Sequence, residues 1–162
     1  GWDDKWTEGL GSGANRMEAY LLALGRAKSK KAVPAVAEKI RDLVTLQKPS
    51  TTAFRIVSLV SQMLGDPALA APLAELLARP NISGHAIKMG AEIPPVPGYD
   101  SRSSYSQTEK NETPREVNLA AALYRVGDKD GTGEAILKAY ADDPRGFYAN
   151  YARRVLAEMG GK

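Results

Sequence analysis

The stretch PREVNLAAALYRVGDKDGTGEAILKAYADDPRGFYANYARRVLAEM, residues 114–159, decides the fold. Its apolar residues recur at intervals of three and four, which places them on one face of a helix. Gly127-Asp128 interrupts this pattern with a turn signal, and Asp143-Pro144 interrupts it again as a helix cap followed by a helix start. The stretch therefore predicts a helical hairpin followed by a closing helix.

The start of this hairpin carries a capping signal. Thr113 precedes Pro114, and Glu116 follows three residues after the threonine. A threonine cap, a proline at the first helical position and a glutamate at the third are typical of a helix N-terminus. We therefore predict that the helix begins at Pro114.

The same pattern occurs twice upstream. The first unit has a helical stripe from Asn15 that Gly25 ends or loosens, and a second helix that opens at Pro34. The second unit has two stripes around the turn Gly65-Asp66-Pro67. We predict an all-α fold without strands, an α-α superhelix of about three helical hairpins plus a closing helix. Gly65 and Gly127 are 62 residues apart, which leaves a repeat in the 30s once an insertion is removed.

Irregular segments set the domain boundaries. Residues 1–14 are predicted to be a flexible lead-in, and residues 15–162 a single domain. Residues 80–113 interrupt it as a long insertion, with four of the chain's ten prolines and a polar tract rich in serine and tyrosine. Because the chain starts with Gly1, we expect a processed or cut N-terminus, consistent with a removed signal peptide or with excision from a larger protein.

Composition narrows the class of protein. The chain has 162 residues, 43% of them hydrophobic, and a net charge of +3. It has no cysteine, which excludes disulfides and thiolate metal sites. No apolar run reaches the roughly 20 residues of a membrane span. The basic excess lies in the first half, around Arg26, Lys28, Lys30 and Lys31, but a nucleic-acid binder usually has a denser stripe.

Two local sequences resemble known families. ALGRAKSKKAVPAVAEKI, residues 23–40, resembles the HEAT-like repeats of bacterial proteins (the PBS-lyase type), with an Ala-Leu-Gly helix end and an Ala-Val-Pro helix start. That resemblance implies a helical solenoid, a fold used by scaffolds, lyases, glycosylases and enzyme appendages. Residues 115–156 are similar to the helical C-terminal region that follows the flavin domain of some bacterial FAD-dependent oxidoreductases. This second resemblance implies an accessory region without flavin-binding motifs.

Sites for chemistry are sparse in the sequence. His85 is the only histidine and has no metal-ligand or catalytic partner at a suitable spacing. The sequence DKDG from Asp128 resembles the start of a calcium loop, but position 12 is Ala139 where the loop requires glutamate. We predict no catalytic, cofactor-binding or metal-binding residues in this chain.

The leading functional hypothesis is a non-catalytic helical-repeat module for protein–protein interaction or scaffolding, bound to a protein partner or to a neighbouring domain. A concave surface is expected from the second helices, 33–44, 70–78 and 132–141. One alternative is the accessory domain of a bacterial FAD-dependent oxidoreductase. Another is a weak nucleic-acid-binding solenoid. The candidate interaction residues are Arg26, Lys30, Lys31, Glu38, Lys39, His85, Tyr99 and Tyr105.

Overall fold

The computed structural model describes residues 16–88, 90 and 107–160, with side chains from 112 to 158 in the last of these segments. The helices are α1 Arg16–Arg26, α2 Val33–Thr45, α3 Thr51–Leu64, α4 Ala70–Leu77, α5 Gln107–Gly127, α6 Thr132–Ala141 and α7 Ala149–Gly160. No strand occurs in these segments, so the predicted all-α class is confirmed. The predicted lead-in 1–14 and the candidates Tyr99 and Tyr105 lie outside the described residues.

The helices pack in two layers over most of the chain. α3 lies between α1 and α5 in one layer, while α2 and α4 pack side by side in the other. α6 has its extensive contacts with α5 and α7, whereas those of α4 are with α2 and α5. The row of second helices therefore runs from α2 to α4 only, and the expectation that α6 would extend it is wrong.

The first two units repeat with a period of 37 residues. Lys28 has φ 49° and Gly65 has φ 58°, so each ends a helix in the left-handed conformation. A short 3-10 turn follows in both units, at Lys30–Ala32 and at Pro67–Leu69, and leads into α2 and α4. Gly25, which was expected to end or loosen the first helix, lies inside α1. Lys28 takes the position that glycine occupies in the next unit.

Two apolar cores hold the layers together. The larger core contains side chains from all five helices α1, α2, α3, α4 and α5, and some of them, such as Phe54 and Leu73, are fully buried. The smaller core joins α5, α6 and α7 around Val117, Leu137 and Val155. Because α5 contributes to both cores, it connects the two-layer part of the chain to the C-terminal helices.

Two predicted helix starts are wrong. α5 is already helical at Gln107, so Thr113 is not its cap, Pro114 lies inside the helix, and the irregular insertion 80–113 ends earlier than expected. Glu112 and Arg115 form an ion pair of 2.9 Å across this first part, the i, i+3 spacing that supports a helix. α7 begins at Ala149 rather than at Pro144, because Gly146 adopts a left-handed φ of 71° that interrupts a helix.

Candidate functional site

The helix ends lie on two opposite edges of the fold. One edge, the turn edge, holds the turns after α1, α3 and α5. A Cβ on Gly25 would lie 3.1 Å from Met63 Sδ, and one on Gly127 would lie 4.0 Å from Pro67 Cβ, so these three turns are neighbours. The opposite edge, the linker edge, holds the segments 46–50, 78–88 and 142–148. α2 spans 13 residues between the edges, about 20 Å.

The predicted interaction residues are divided between these edges. Arg26, Lys30 and Lys31 are exposed at the turn edge. His85 lies at the linker edge. Glu38 and Lys39 lie midway along α2, where Glu38 is exposed and the Lys39 ammonium pairs with Asp42 at 2.9 Å. The candidates in the described segments therefore do not form one surface.

The turn after α1 concentrates positive charge. Arg26, Lys28, Lys30 and Lys31, here called the basic turn, are all exposed. None of them forms an ion pair with another described residue. Several cations elsewhere do: Arg125 pairs with Glu158, and Lys138 with Glu134 at 2.7 Å. The basic turn therefore presents charge that the described residues do not neutralise.

At the linker edge, the buried carboxylate of Glu116 holds the segment that follows α4. Glu116 is 2% exposed. Its carboxylate accepts hydrogen bonds from the backbone N–H groups of Gly84 at 2.7 Å and His85 at 2.9 Å, and from the Tyr140 hydroxyl at 2.7 Å. Burial, together with the hydrogen bond to Glu116, raises the pKa of Tyr140. These contacts fasten residues 84–85 to α5 and α6.

A second buried carboxylate holds the same segment further along. Asp143 is 6% exposed and accepts from the backbone N–H of Ile87 at 2.9 Å. Arg145 pairs with Asp143 at 2.7 Å and donates a hydrogen bond of 2.6 Å to the His85 carbonyl. Burial opposes ionisation of Asp143, but the Arg145 guanidinium and the backbone N–H groups of Ile87 and Arg145 outweigh it. The pKa of Asp143 is therefore lowered.

These two carboxylates have a structural role in this arrangement, because each of their oxygens accepts at least one hydrogen bond from the protein. The prediction that Asp143 caps a following helix is wrong, since the carboxylate binds Ile87 and Arg145 instead. The prediction that Glu116 forms a capping box at a helix start is also wrong, because Glu116 lies inside α5 and is buried. A signal was present: Glu116 falls in register with Leu119 and Leu123 on the buried stripe of α5, where a charged residue is unusual.

A cavity of about 330 Å³ opens at the linker edge beside this anchored segment. It is lined by Gln47, Pro49, Phe54, Arg79, Pro80, Asn81, Ile82, Glu112 and Arg115. Arg79 donates to the carbonyl oxygens of Leu43 and Leu46, the latter at 2.9 Å. Its guanidinium thus occupies the C-terminal end of α2, where backbone carbonyls lack helical partners.

The resemblance of residues 128–131 to a calcium loop has a structural explanation. The Asp128 carboxylate accepts the backbone N–H of Glu134 at 2.8 Å and so caps the first turn of α6. Gly131 adopts φ 68° between them. The predicted hairpin turn is present. Among the described side chains, which cover residues 16–88 and 112–158, no group of three His, Cys, Asp or Glu residues is placed to hold a metal ion.

Across the described helices, none combines the length and apolarity needed to cross a bilayer. Comparisons with protein-family models, with curated proteins and with solved structures give no match to this chain. The likenesses to HEAT-like repeats and to the oxidoreductase C-terminal region therefore stay predictions from the sequence.

Proposed function

We propose that this chain is a non-catalytic helical-repeat module that binds an acidic segment of a protein partner or of a neighbouring domain. The basic turn, Arg26 to Lys31, is the proposed contact surface. The observation that carries the proposal is that four exposed cations lie within six residues without an ion pair to any described residue. Such a cluster attracts acidic partners and increases their rate of association.

The distribution of charge supports this choice of surface. Residues 16–79 contain ten Lys or Arg and five Asp or Glu, whereas residues 112–158 contain seven and eight. The α1–α4 half therefore carries the positive excess of the described chain. An acidic partner approaching from solution is drawn toward this half, and the basic turn is its most concentrated part.

The backbone of the basic turn supports a defined geometry. Lys28 adopts a left-handed φ of 49°. Lys30–Ala32 form a 3-10 turn, in which the backbone N–H of Ala32 donates a hydrogen bond of 2.9 Å to the Ser29 carbonyl. Lys30 and Lys31 are thus held at fixed positions relative to α2. Holding the backbone in the binding geometry reduces the entropy lost when a partner is bound.

The proposal is tested by fluorescence anisotropy with a labelled ten-residue glutamate-rich peptide at 50 and 300 mM NaCl. Wild-type protein is expected to bind at the lower salt and to weaken at the higher, because exposed charges are screened. Lys30→Glu/Lys31→Glu is expected to weaken binding at least about tenfold, since two attractions become repulsions.

The matched control is Lys129→Glu/Arg154→Glu, which changes the net charge by the same amount at exposed positions outside the basic turn. It should retain nearly all of the binding. If both double variants lose the same amount of binding, the interaction depends only on net charge, and the basic turn is not the contact surface. A 20-base-pair DNA duplex bound more tightly than the peptide would instead favour the nucleic-acid alternative.

A further inference from the structure

We infer that the cavity at the linker edge is a carboxylate-binding site. The cavity lies about 20 Å from the basic turn along α2 and shares no residue with it. Two guanidinium groups, Arg79 and Arg115, belong to its wall. Arginine suits this role because its planar fork of N–H donors matches the geometry of a carboxylate.

Arg79 supplies a fixed positive charge. Its two terminal nitrogens donate to the carbonyls of Leu43 and Leu46, so the end of α2 positions the guanidinium. These partners are neutral oxygens that carry the partial negative charge of a helix C-terminus. No described carboxylate lies within ion-pair distance of Arg79. Part of its charge is therefore available to an anion in the cavity.

Arg115 already binds a carboxylate from within the chain. Its Nη1 lies 2.9 Å from both oxygens of Glu112, and its Nη2 donates to the Thr51 hydroxyl at 3.0 Å. The Phe54 ring lies beneath the guanidinium, 5.2 Å from ring centroid to Cζ. Within the described chain, the buried Nε of Arg115 has no acceptor. The contacts with Glu112, Thr51 and Phe54 thus pre-orient this guanidinium for carboxylates.

The remaining wall limits the size and character of the ligand. Pro49, Pro80 and Ile82 provide apolar surface, while Gln47 and Asn81 provide amides. A volume of about 330 Å³ is at the small end of ligand pockets. The cavity therefore suits one carboxylate with a short aliphatic or amide-bearing portion. The C-terminus of a peptide and a small free organic acid both have this chemistry.

Isothermal titration calorimetry of the full 162-residue chain tests the site with four probes. These are sodium butyrate, acetyl-trialanine with a free carboxyl terminus, the same peptide amidated, and inorganic phosphate. Saturable binding is expected for butyrate and for the free-acid peptide, and none for the amide. Tighter binding of the peptide identifies a chain terminus as the source, and tighter binding of butyrate identifies a free acid. Amide or phosphate binding as tight as that of the carboxylates would overturn the proposal.

Glu112→Gln is the decisive variant. Removing this carboxylate frees Arg115, so affinity for the carboxylate probes should increase about fivefold, the effect of one charge at contact distance. A gain in affinity cannot come from loss of folding. Glu158→Gln, which removes the acid partner of Arg125 elsewhere, is the matched control and should leave affinity unchanged. Unchanged or weaker binding by Glu112→Gln would refute the site.

A loss-of-binding variant completes the test. Arg79→Met removes the second guanidinium and is expected to weaken binding about tenfold. Circular dichroism of the same sample verifies its fold, because Arg79 also caps α2. Lys30→Glu/Lys31→Glu should bind the carboxylate probes like wild type, which separates this site from the proposed function of the basic turn.

Discussion

Tyr140 on α6 donates a hydrogen bond of 2.7 Å to the carboxylate of Glu116 on α5, with both side chains inside the protein. The same carboxylate accepts the backbone N–H groups of Gly84 and His85. One buried acid thus joins two helices to a segment more than 30 residues upstream. Tyr140 and Glu116 together fix where the chain after α4 runs.

Tyr140→Phe is expected to lower the free energy of unfolding by about 1–2 kcal/mol, because it removes one of the donors to a buried carboxylate. Urea unfolding measures this loss. Amide exchange at Gly84 and His85 should accelerate in the same variant, since their acceptor is less well positioned. Tyr124→Phe, a half-buried tyrosine on α5, is the control and should leave both amides as protected as in wild type. Unaltered exchange in Tyr140→Phe would refute the linkage.

Stability at high pH provides a second prediction for Tyr140. Burial and the hydrogen bond to Glu116 raise its pKa above the usual value of 10.0. Because the pKa is raised in the folded protein, the stability that Tyr140 contributes is complete below pH 10 and is lost as the pH rises above that value. Thermal unfolding between pH 9 and pH 11 should show a steeper decline for wild type than for Tyr140→Phe. Parallel curves would contradict the assignment.

For Asp143 we predict the opposite pH dependence, a loss of stability at low pH. Burial alone would raise its pKa, but Arg145 and two backbone N–H groups lower it below the usual 3.8. Its contribution is therefore present above pH 4 and is lost as the pH falls below that value. Asp143→Asn should cost about 3 kcal/mol at pH 7, because Arg145 would remain in place without its charge partner.

The pH dependence of unfolding distinguishes Asp143 from a general loss of stability. Urea unfolding of Asp143→Asn should depend less on pH between 5 and 2 than that of wild type. The exposed neighbour Asp142 is the matched control, and Asp142→Asn should retain the wild-type dependence. If the two variants have the same acid profile, the buried ion pair does not contribute as stated.

The helices could be predicted where the signal is local. The apolar stripes of α2, α3 and α6 and the turn at Gly65-Asp66-Pro67 are present where periodicity and turn chemistry put them. The start of α5 was predicted wrongly, although Thr113-Pro114 is a strong local signal. Tertiary packing prevails there, because Arg115 stacks on Phe54 and pairs with Glu112 within a helix that is already formed.

The basic turn could be identified from the sequence because its four cations are close in the chain. The cavity and the anchored segment could not. Arg79 and Arg115 are 36 residues apart, and Ile87 is 56 residues from Asp143, so only the folded chain brings them together. Periodicity indicates which face of a helix is buried, but it does not indicate which distant backbone N–H a buried acid accepts.

Gly25 and Gly133 are buried glycines within helices, and they should respond differently to alanine. A Cβ on Gly133 would lie 2.7 Å from the Ala120 carbonyl oxygen, a backbone atom that cannot move aside. Gly133→Ala should therefore cost about 2–3 kcal/mol and separate α5 from α6. A Cβ on Gly25 would lie 3.1 Å from the flexible Met63 Sδ and 3.3 Å from the Cα and Cγ1 of Val60. Shifts of a few tenths of an ångström relieve these contacts, and the gain in helix propensity offsets part of their cost. Urea unfolding should find Gly25→Ala within about 1 kcal/mol of wild type, and equal losses would contradict the distinction.

Lys28 is the non-glycine counterpart of Gly65, and its left-handed φ of 49° costs stability. A side chain in this conformation costs about 1–2 kcal/mol. Glycine avoids that cost but loses more conformational entropy on folding, so the substitution recovers only part of it. Lys28→Gly should therefore stabilise the protein by about 0.5–1 kcal/mol. Lys30→Gly, two residues along in the 3-10 turn, lacks that strain and should destabilise it by a similar amount.

The same variant connects stability to the proposed binding surface. Lys28→Gly removes one of the four cations of the basic turn, so a more stable protein should bind the glutamate-rich peptide more weakly. Thermal unfolding and fluorescence anisotropy on one sample measure both effects. A variant that is less stable than wild type would mean that contacts of the Lys28 side chain outweigh the backbone strain. A variant that binds the peptide unchanged would remove Lys28 from the contact surface, and its strained backbone would then have no part in binding.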